Sequence, residues 1–150
     1  MTTIYFDMDG TIADLYAVEN WLPKLRALDP TPYIEATPLL RLSVLARMLN
    51  TLQRKGYRLG VISWLSKDPN TEYAAKVTKA KQKWLKTHLA SVKWDEITIV
   101  PYGTPKSEAV KTKTGTKILF DDEAPNRNEW EKSGGIAYDV ANILEVLRAM

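Results

Sequence analysis

The chain has no cysteine, and its 150 residues include a single histidine, His88. Without cysteine there is no disulfide, no thiolate nucleophile and no Cys-ligated zinc, which excludes cysteine-dependent phosphatases and proteases. The absence also fits a reducing compartment. One imidazole cannot build a His-type zinc or di-metal site. A Ser-His-Asp triad would have to use His88, which falls in a Lys-rich amphipathic stretch and not at a strand-end turn. No apolar run approaches the ~20 residues that span a bilayer. No basic segment followed by an apolar stretch opens the chain, so no secretory signal and no membrane partner are expected, and the location is read as cytoplasmic. Internal repeats and low-complexity tracts are missing as well. Nucleophiles and metal ligands must therefore come mainly from Asp, Glu, Ser and Thr, and oxygen donors favour Mg²⁺.

What is present is ordinary in bulk. Hydrophobic residues make up 45% and charged residues 26%, the balance of a globular chain long enough for one domain with a real core. The net charge of +3 suits an anionic substrate but does not by itself imply nucleic-acid binding.

β-branched and aromatic runs predict strands at Thr2–Phe6, Tyr57–Ser63, Glu96–Val100, Lys117–Phe120 and Ile136–Val140. Helical periodicity fills the intervals. Leu42, Leu45, Met48, Leu49 and Leu52 share a face that closes at Gly56. A second helix begins near Asp68-Pro69 or at Thr71 and carries Val77, Ala80, Trp84, His88 and Leu89 on one side. Thr104-Pro105 reads as the N-cap and first residue of a third helix, and a short helix over about 141–149 ends the chain. Alternating strands and helices predict an α/β three-layer sandwich around a mainly parallel, five-stranded Rossmann-like sheet. Residues of about 14–40 interrupt the alternation with one helical stretch, Leu15–Leu28, and a proline-studded connection. They read as a small helical lid inserted after strand one in a single domain spanning 1–150.

In open α/β sheets ligands bind beyond the carboxyl ends of the strands. Asp7 and Asp9 follow strand one, Ser63 ends strand two, Lys106 follows strand three, and Asp121-Asp122 follow strand four. Two unit charges about 4 Å apart repel by roughly 4 kcal/mol at an effective dielectric near 20, so such carboxylate pairs call for a cation or a chemical role. Clustered carboxylates with Mg²⁺, a lysine and a hydroxyl suit a phosphoryl group. Asp7 could attack phosphorus, and Asp9 could protonate the leaving oxygen and then activate water. Ser63 and Lys106 would hold phosphate oxygens. Gly10 lets the backbone come close to them, and Trp64 sits beside the same pocket.

Asp7-Met8-Asp9-Gly10-Thr11, Ser63, Lys106 and Asp121-Asp122, in that order and at strand ends, resemble the four motifs of the haloacid-dehalogenase (HAD) superfamily. The resemblance covers nearly the whole chain. It implies Asp7 as nucleophile and Asp9 as general acid/base. It further implies Mg²⁺ held by Asp7, the Asp9 backbone carbonyl and Asp121, with Asp122 in support. A nearer likeness is to the 5′(3′)-deoxyribonucleotidases. Its basis is the run on from Gly10 to Ala13-Asp14, the segment Lys81-Gln82-Lys83-Trp84-Leu85 with His88-Leu89, and Pro125 after Asp121-Asp122. In that group a lysine four residues past the motif-two hydroxyl lies near the substrate, and Lys67 holds that offset. The departures are Leu15 where an aromatic usually stands, Glu123 in place of a common arginine, one extra residue before Pro125, and a shorter lid.

The resulting expectation is a Mg²⁺-dependent phosphomonoesterase acting through an aspartyl-phosphate on a small phosphorylated substrate, a (deoxy)nucleoside monophosphate. Tyr16 and Trp21 either stack on the base or pin the lid to the core. The alternatives are a polynucleotide 3′- or 5′-end phosphatase, with Lys76, Lys79, Lys83 and Lys86 tracking the strand, a phosphotransferase, and a non-catalytic interaction module. A solvated helix face is the plainer reading of those four lysines.

Overall fold

Along Ile4-Tyr5-Phe6 successive side chains point to opposite faces of a strand, and all three are fully buried. Only a strand covered on both sides accepts that, and the run forms the central strand of the sheet. A computed structural model describes residues 1–67 and 70–150. The strands are β1 (Thr2–Phe6), β2 (Ala13–Asp14), β3 (Thr37–Pro38), β4 (Arg58–Trp64), β5 (Glu96–Val100), β6 (Thr116–Phe120) and β7 (Ile136–Tyr138). The helices are α1 (Trp21–Arg26), α2 (Thr31–Glu35), α3 (Leu42–Arg54), α4 (Thr71–His88), α5 (Lys106–Ala109), α6 (Ala124–Lys132) and α7 (Ile143–Arg148). The main sheet runs β5-β4-β1-β6-β7, every pair parallel, while β2 and β3 form a separate antiparallel ribbon.

The register sets Ile4 beside Leu59 and Ile118, and Phe6 beside Val61 and Phe120. Ile4, Phe6, Val61 and Phe120 pack with Leu45 and Leu49 of α3, Trp84 and Leu85 of α4, and Ile143 and Leu147 of α7. Tyr5, Ile62 and Leu119 point the other way, onto Val110 and Trp130. These are the three layers of the expected sandwich. From β1 the chain builds outward through β4 to β5, then crosses back to β6 on the other side of β1. The strand order therefore reverses beside β1, the place where this class of sheet opens a crevice.

Several local expectations shift. Leu15–Leu28 is not one helix: Leu15–Ala17 makes a single 3₁₀ turn, Asn20 is left-handed (φ 57°), and α1 restarts at Trp21. Pro23 explains the break, because a residue without an N–H is tolerated only in a helix's first turn. Thr104 is not a cap. Its hydroxyl donates to Pro101 O (2.7 Å), and α5 starts one residue later than expected, at Lys106, with Pro105 as N-cap. The last strand stops at Tyr138, since the Asp139 carboxylate accepts from Val140 N (2.7 Å) and turns the chain into a 3₁₀ helix. Gly56 follows α3 in the left-handed region (φ 100°), as a C′ glycine should. The start of α4 at Thr71 is capped by Asn70, whose side chain accepts from Tyr73 N (2.7 Å), and the alternative start at Asp68-Pro69 lies outside the described residues. Among the described residues no helix is long and apolar enough to cross a membrane.

The segment after β1 leans on α4. Leu15 and Tyr33 bury against Tyr73, Val77 and Ala80. Trp84 Nε1 donates to Ala36 O (2.7 Å) and Tyr73 Oη to Asp29 O (3.1 Å). Half of α4's apolar stripe therefore covers the sheet, and the other half holds the inserted segment in place.

Candidate active site

β1 ends at Phe6, and the ladder continues one step further, with Asp7 N donating to Phe120 O (3.0 Å). That bond brings the end of β1 level with the start of the loop after β6, so Asp7 and Asp121 meet across the switch point. The chain then turns tightly, with Thr11, Ile12 and Ala13 all donating backbone N–H to Met8 O (3.0–3.1 Å). Gly10 sits in the turn at φ 78°. A Cβ there would overlap the Asp122 carboxylate and stand 2.9 Å from the Tyr16 ring, so a side chain at this position would fill the site.

Carboxylate oxygens of Asp7, Asp121 and Asp122 lie within 4.8 Å of one another. Lys106, from the first turn of α5 and only 2% exposed, donates to Asp7 Oδ1 (2.8 Å) and Asp121 Oδ2 (2.7 Å). Thr11 Oγ1 donates toward Asp7 Oδ2 (3.1 Å) and receives Asp122 N (3.2 Å). Asp121 also accepts from Glu123 N (2.9 Å) and Asn126 Nδ2 (3.2 Å). One ammonium therefore pairs with two members of a three-carboxylate cluster. Burial, followed by the charge of Asp7, pushes both Asp121 and Asp122 above the ordinary carboxylate range. Burial pulls the Lys106 ammonium down, but Asp7 and Asp121 outweigh it and hold its pKa above the usual lysine value. Excess negative charge on hard oxygen donors, still uncompensated after one lysine, is what a divalent cation such as Mg²⁺ relieves. The donor set fits that ion.

Asp9 stands apart from this cluster. Its Oδ2 accepts from Lys81 Nζ (2.8 Å), which also donates to Ser63 Oγ (2.6 Å) and Trp64 O (2.7 Å). Burial raises the Asp9 carboxyl against the pull of Lys81. Two acid–lysine pairs thus lie side by side at one sheet edge, Asp7 with Lys106 and Asp9 with Lys81.

Above them opens a cavity of about 550 Å³. Asp7, Asp9, Asp122 and Lys106 form its charged floor, and Leu15, Tyr16, Trp21, Leu22, Leu25 and Tyr33 of the inserted segment form one wall. Trp64, Leu65, Ser66, Lys67 and Tyr102 also line it. Tyr16 and Trp21 pack edge to face (centroids 5.0 Å), and Trp64 and Tyr102 pack at a tilt (5.0 Å). Trp64 Nε1 is tied to Thr104 O (2.7 Å), and Lys106 Nζ lies 5.5 Å from its ring centre. Trp21 faces the cavity and also packs against the cluster that joins the insertion to α4, so stacking and pinning are open to one side chain.

The residues read from the sequence as catalytic, phosphate-binding, substrate-binding or metal-holding reach this edge of the sheet. Asp7, Gly10, Lys106, Asp121 and Asp122 crowd one point, Asp9 and Ser63 share Lys81, Tyr16, Trp21 and Trp64 line the walls, and exposed Lys67 lies on the rim. Four further residues take part. Thr11 links the Asp7 carboxylate to the Asp122 backbone, Asn126 supports Asp121, Tyr33 closes a wall, and Lys81 is 1% exposed. For Lys81 a signal existed. It sits four residues after Val77 and three before Trp84, inside the apolar stripe of α4, where an unpaired lysine does not belong.

No protein-family model and no curated protein matches the sequence. Among solved structures the chain resembles the D,D-heptose 1,7-bisphosphate phosphatase from Burkholderia thailandensis. The identity is 16% and the TM-score 0.51, over 89% of this chain and 72% of that one. At that identity the likeness establishes the shared α/β fold.

Proposed function

We propose that the protein is a Mg²⁺-dependent phosphomonoesterase of the HAD type that acts through an aspartyl-phosphate on Asp7. The observation that carries this reading is the pairing of two differently held carboxylates, Asp7 on Lys106 and Asp9 on Lys81, at the mouth of one cavity. A solved structure sharing the fold is a phosphatase, which supports the same reaction class.

Mg²⁺ held by Asp7, Asp121 and Asp122 would neutralise the floor and polarise a phosphoryl oxygen. Asp7 attacks phosphorus in line as the bond from phosphorus to the leaving oxygen breaks, and protonated Asp9 gives that oxygen its proton. Asp9, now a carboxylate, takes a proton from water as the water oxygen attacks phosphorus. The bond from Asp7 to phosphorus then breaks, which restores the free carboxylate and releases phosphate. Lys106 and the Ser63 hydroxyl stabilise charge on the non-bridging oxygens.

The aromatic pairs on both walls and the leucines between them suit a flat, apolar leaving group over a bare polyol, which favours a (deoxy)nucleoside monophosphate. A second reading rests on Lys76, Lys79, Lys83 and Lys86, all exposed along α4, and makes the substrate a phosphorylated polynucleotide end. Phosphate release should be measured with Mg²⁺ or EDTA on nucleoside monophosphates, sugar phosphates, and 5′- or 3′-phosphorylated oligonucleotides. Mg²⁺-dependent preference for mononucleotides supports the first reading. Preference for oligonucleotides, with binding that weakens steeply as salt rises, supports the second. No release from any of them refutes the enzyme.

A further inference from the structure

Lys81 is the feature that the reaction scheme leaves unexplained. Desolvating an ammonium costs several kcal/mol, and an apolar residue of similar volume at such a position is often neutral or stabilising. Its neighbours on α4, Val77, Ala80 and Trp84, are all buried and would pack against a methionine as well as against a lysine stem. Yet Lys81 is 1% exposed, and its ammonium meets three acceptors from two different strand ends. The Tyr33 ring, 5.1 Å from Nζ, closes the remaining side.

The donor count makes the arrangement directional. An ammonium has three N–H donors and no lone pair, and here Asp9 Oδ2, Ser63 Oγ and Trp64 O take one each. Ser63 Oγ is therefore an acceptor toward Lys81, and its own proton must point elsewhere. Among the described residues Asp9 is gripped through Oδ2 alone, which leaves Oδ1 for the cavity that Asp9 lines. Trp64 O anchors the ammonium to the end of β4, so neither group can swing without breaking a buried charge-assisted bond.

We propose that Lys81 is a positioning residue that locks the Asp9 carboxyl and the Ser63 hydroxyl into one unit, aiming the first at the leaving oxygen and the second at the phosphoryl group. The proposal rests on the phosphomonoesterase reading, and its effect falls on one step. Where the leaving group is a poor one, the bond from phosphorus to oxygen breaks only as Asp9 delivers its proton. Where the leaving group is stable as an anion, the proton is not needed.

The test is kcat/KM for full-length wild type, Lys81→Met and Lys81→Gln with two Mg²⁺-supported substrates, p-nitrophenyl phosphate and a nucleoside 5′-monophosphate. This parameter covers the events up to departure of the leaving group. General acid catalysis contributes on the order of 10²–10⁴-fold, so Lys81→Met should lose about a hundredfold or more on the alkyl ester. The loss on p-nitrophenyl phosphate should be at least tenfold smaller. Lys81→Gln, which keeps a neutral donor, should fall between wild type and Lys81→Met on the alkyl ester. Equal losses on both substrates, or none, overturn the proposal. Wild type inactive on both esters and on the sugar phosphates and phosphorylated oligonucleotides as well overturns the phosphatase reading beneath it, a distinguishable result.

If Lys81→Met does not fold, a comparison of wild type with Asp9→Asn still decides. Lysine ¹⁵N–¹H spectra should contain a solvent-protected ammonium signal that shifts in Asp9→Asn, separate from that of Lys106. No protected signal responsive to Asp9 overturns the arrangement.

Discussion

Lys106 is the most informative side chain to remove. Its ammonium lies 2.8 Å from Asp7 and 2.7 Å from Asp121 with 2% exposure, and replacing it by methionine leaves two carboxylates facing each other across a buried gap. Oxygens of that pair lie within 4.8 Å of each other, a separation at which unit charges repel by about 3.5 kcal/mol at an effective dielectric near 20. The figure agrees with the roughly 3–5 kcal/mol lost when one partner of a buried pair is deleted. For a chain of this size the loss corresponds to a drop of about 10 °C in Tm. It is a large fraction of the roughly 5–15 kcal/mol by which domains are stable. Urea unfolding of Lys106→Met at pH 8 without metal should show that loss. Adding Asp121→Asn should recover most of it, since only one carboxylate is left without its partner. Mg²⁺ should recover part of it in the single variant, because the ion takes over the missing positive charge. A change below about 1 kcal/mol, or no recovery in the double variant, would show that the two carboxylates are not held against each other by Lys106.

Asp121→Ala should weaken Mg²⁺ binding by calorimetry at least tenfold, whereas unchanged affinity would transfer its ligand role to Asp122. Gly10→Ala forces a side chain into the left-handed region and onto Asp122. It should cost about 1–3 kcal/mol in chemical unfolding and lower kcat/KM; a silent substitution would mean that the loop is free to move. Asp121 and Asp122 both titrate above the ordinary carboxylate range in the folded protein, so between that range and their raised values the folded state holds protons that the unfolded state has released. Metal-free Tm should therefore fall as pH rises from about 4, and Mg²⁺ should raise Tm more at pH 8 than at pH 5. An equal Mg²⁺ effect at both pH values would contradict the shared charge.

The sheet and the meeting point of the acids were readable because each rests on a constraint that few sequences satisfy by accident. Ile4-Tyr5-Phe6 and Ile118-Leu119-Phe120 are apolar on both faces and end in acids, and in a parallel sheet the ends of neighbouring strands converge. The inserted segment was harder to read because single residues govern it. Asn20 and Pro23 break what the leucine spacing suggests is one helix, and the segment's buried side chains, Leu15 and Tyr33, find their partners on α4, about forty to sixty residues on. α6 showed little periodicity because only Asn126 and Trp130 in it are buried. Lys81 was hidden by its company, one buried lysine among four exposed ones on the same helix.

The proposed reaction requires Asp7 to become covalently phosphorylated. A reaction of the full chain with Mg²⁺ and p-nitrophenyl phosphate should be quenched early and reduced with borohydride, which converts an aspartyl-phosphate into homoserine, and its peptides read by mass spectrometry. Homoserine at position 7, absent without substrate and absent in Asp7→Asn, is the predicted result. Substrate turnover with no reduced residue at position 7, or with the modification at another carboxylate, would contradict the assignment of Asp7 as the nucleophile.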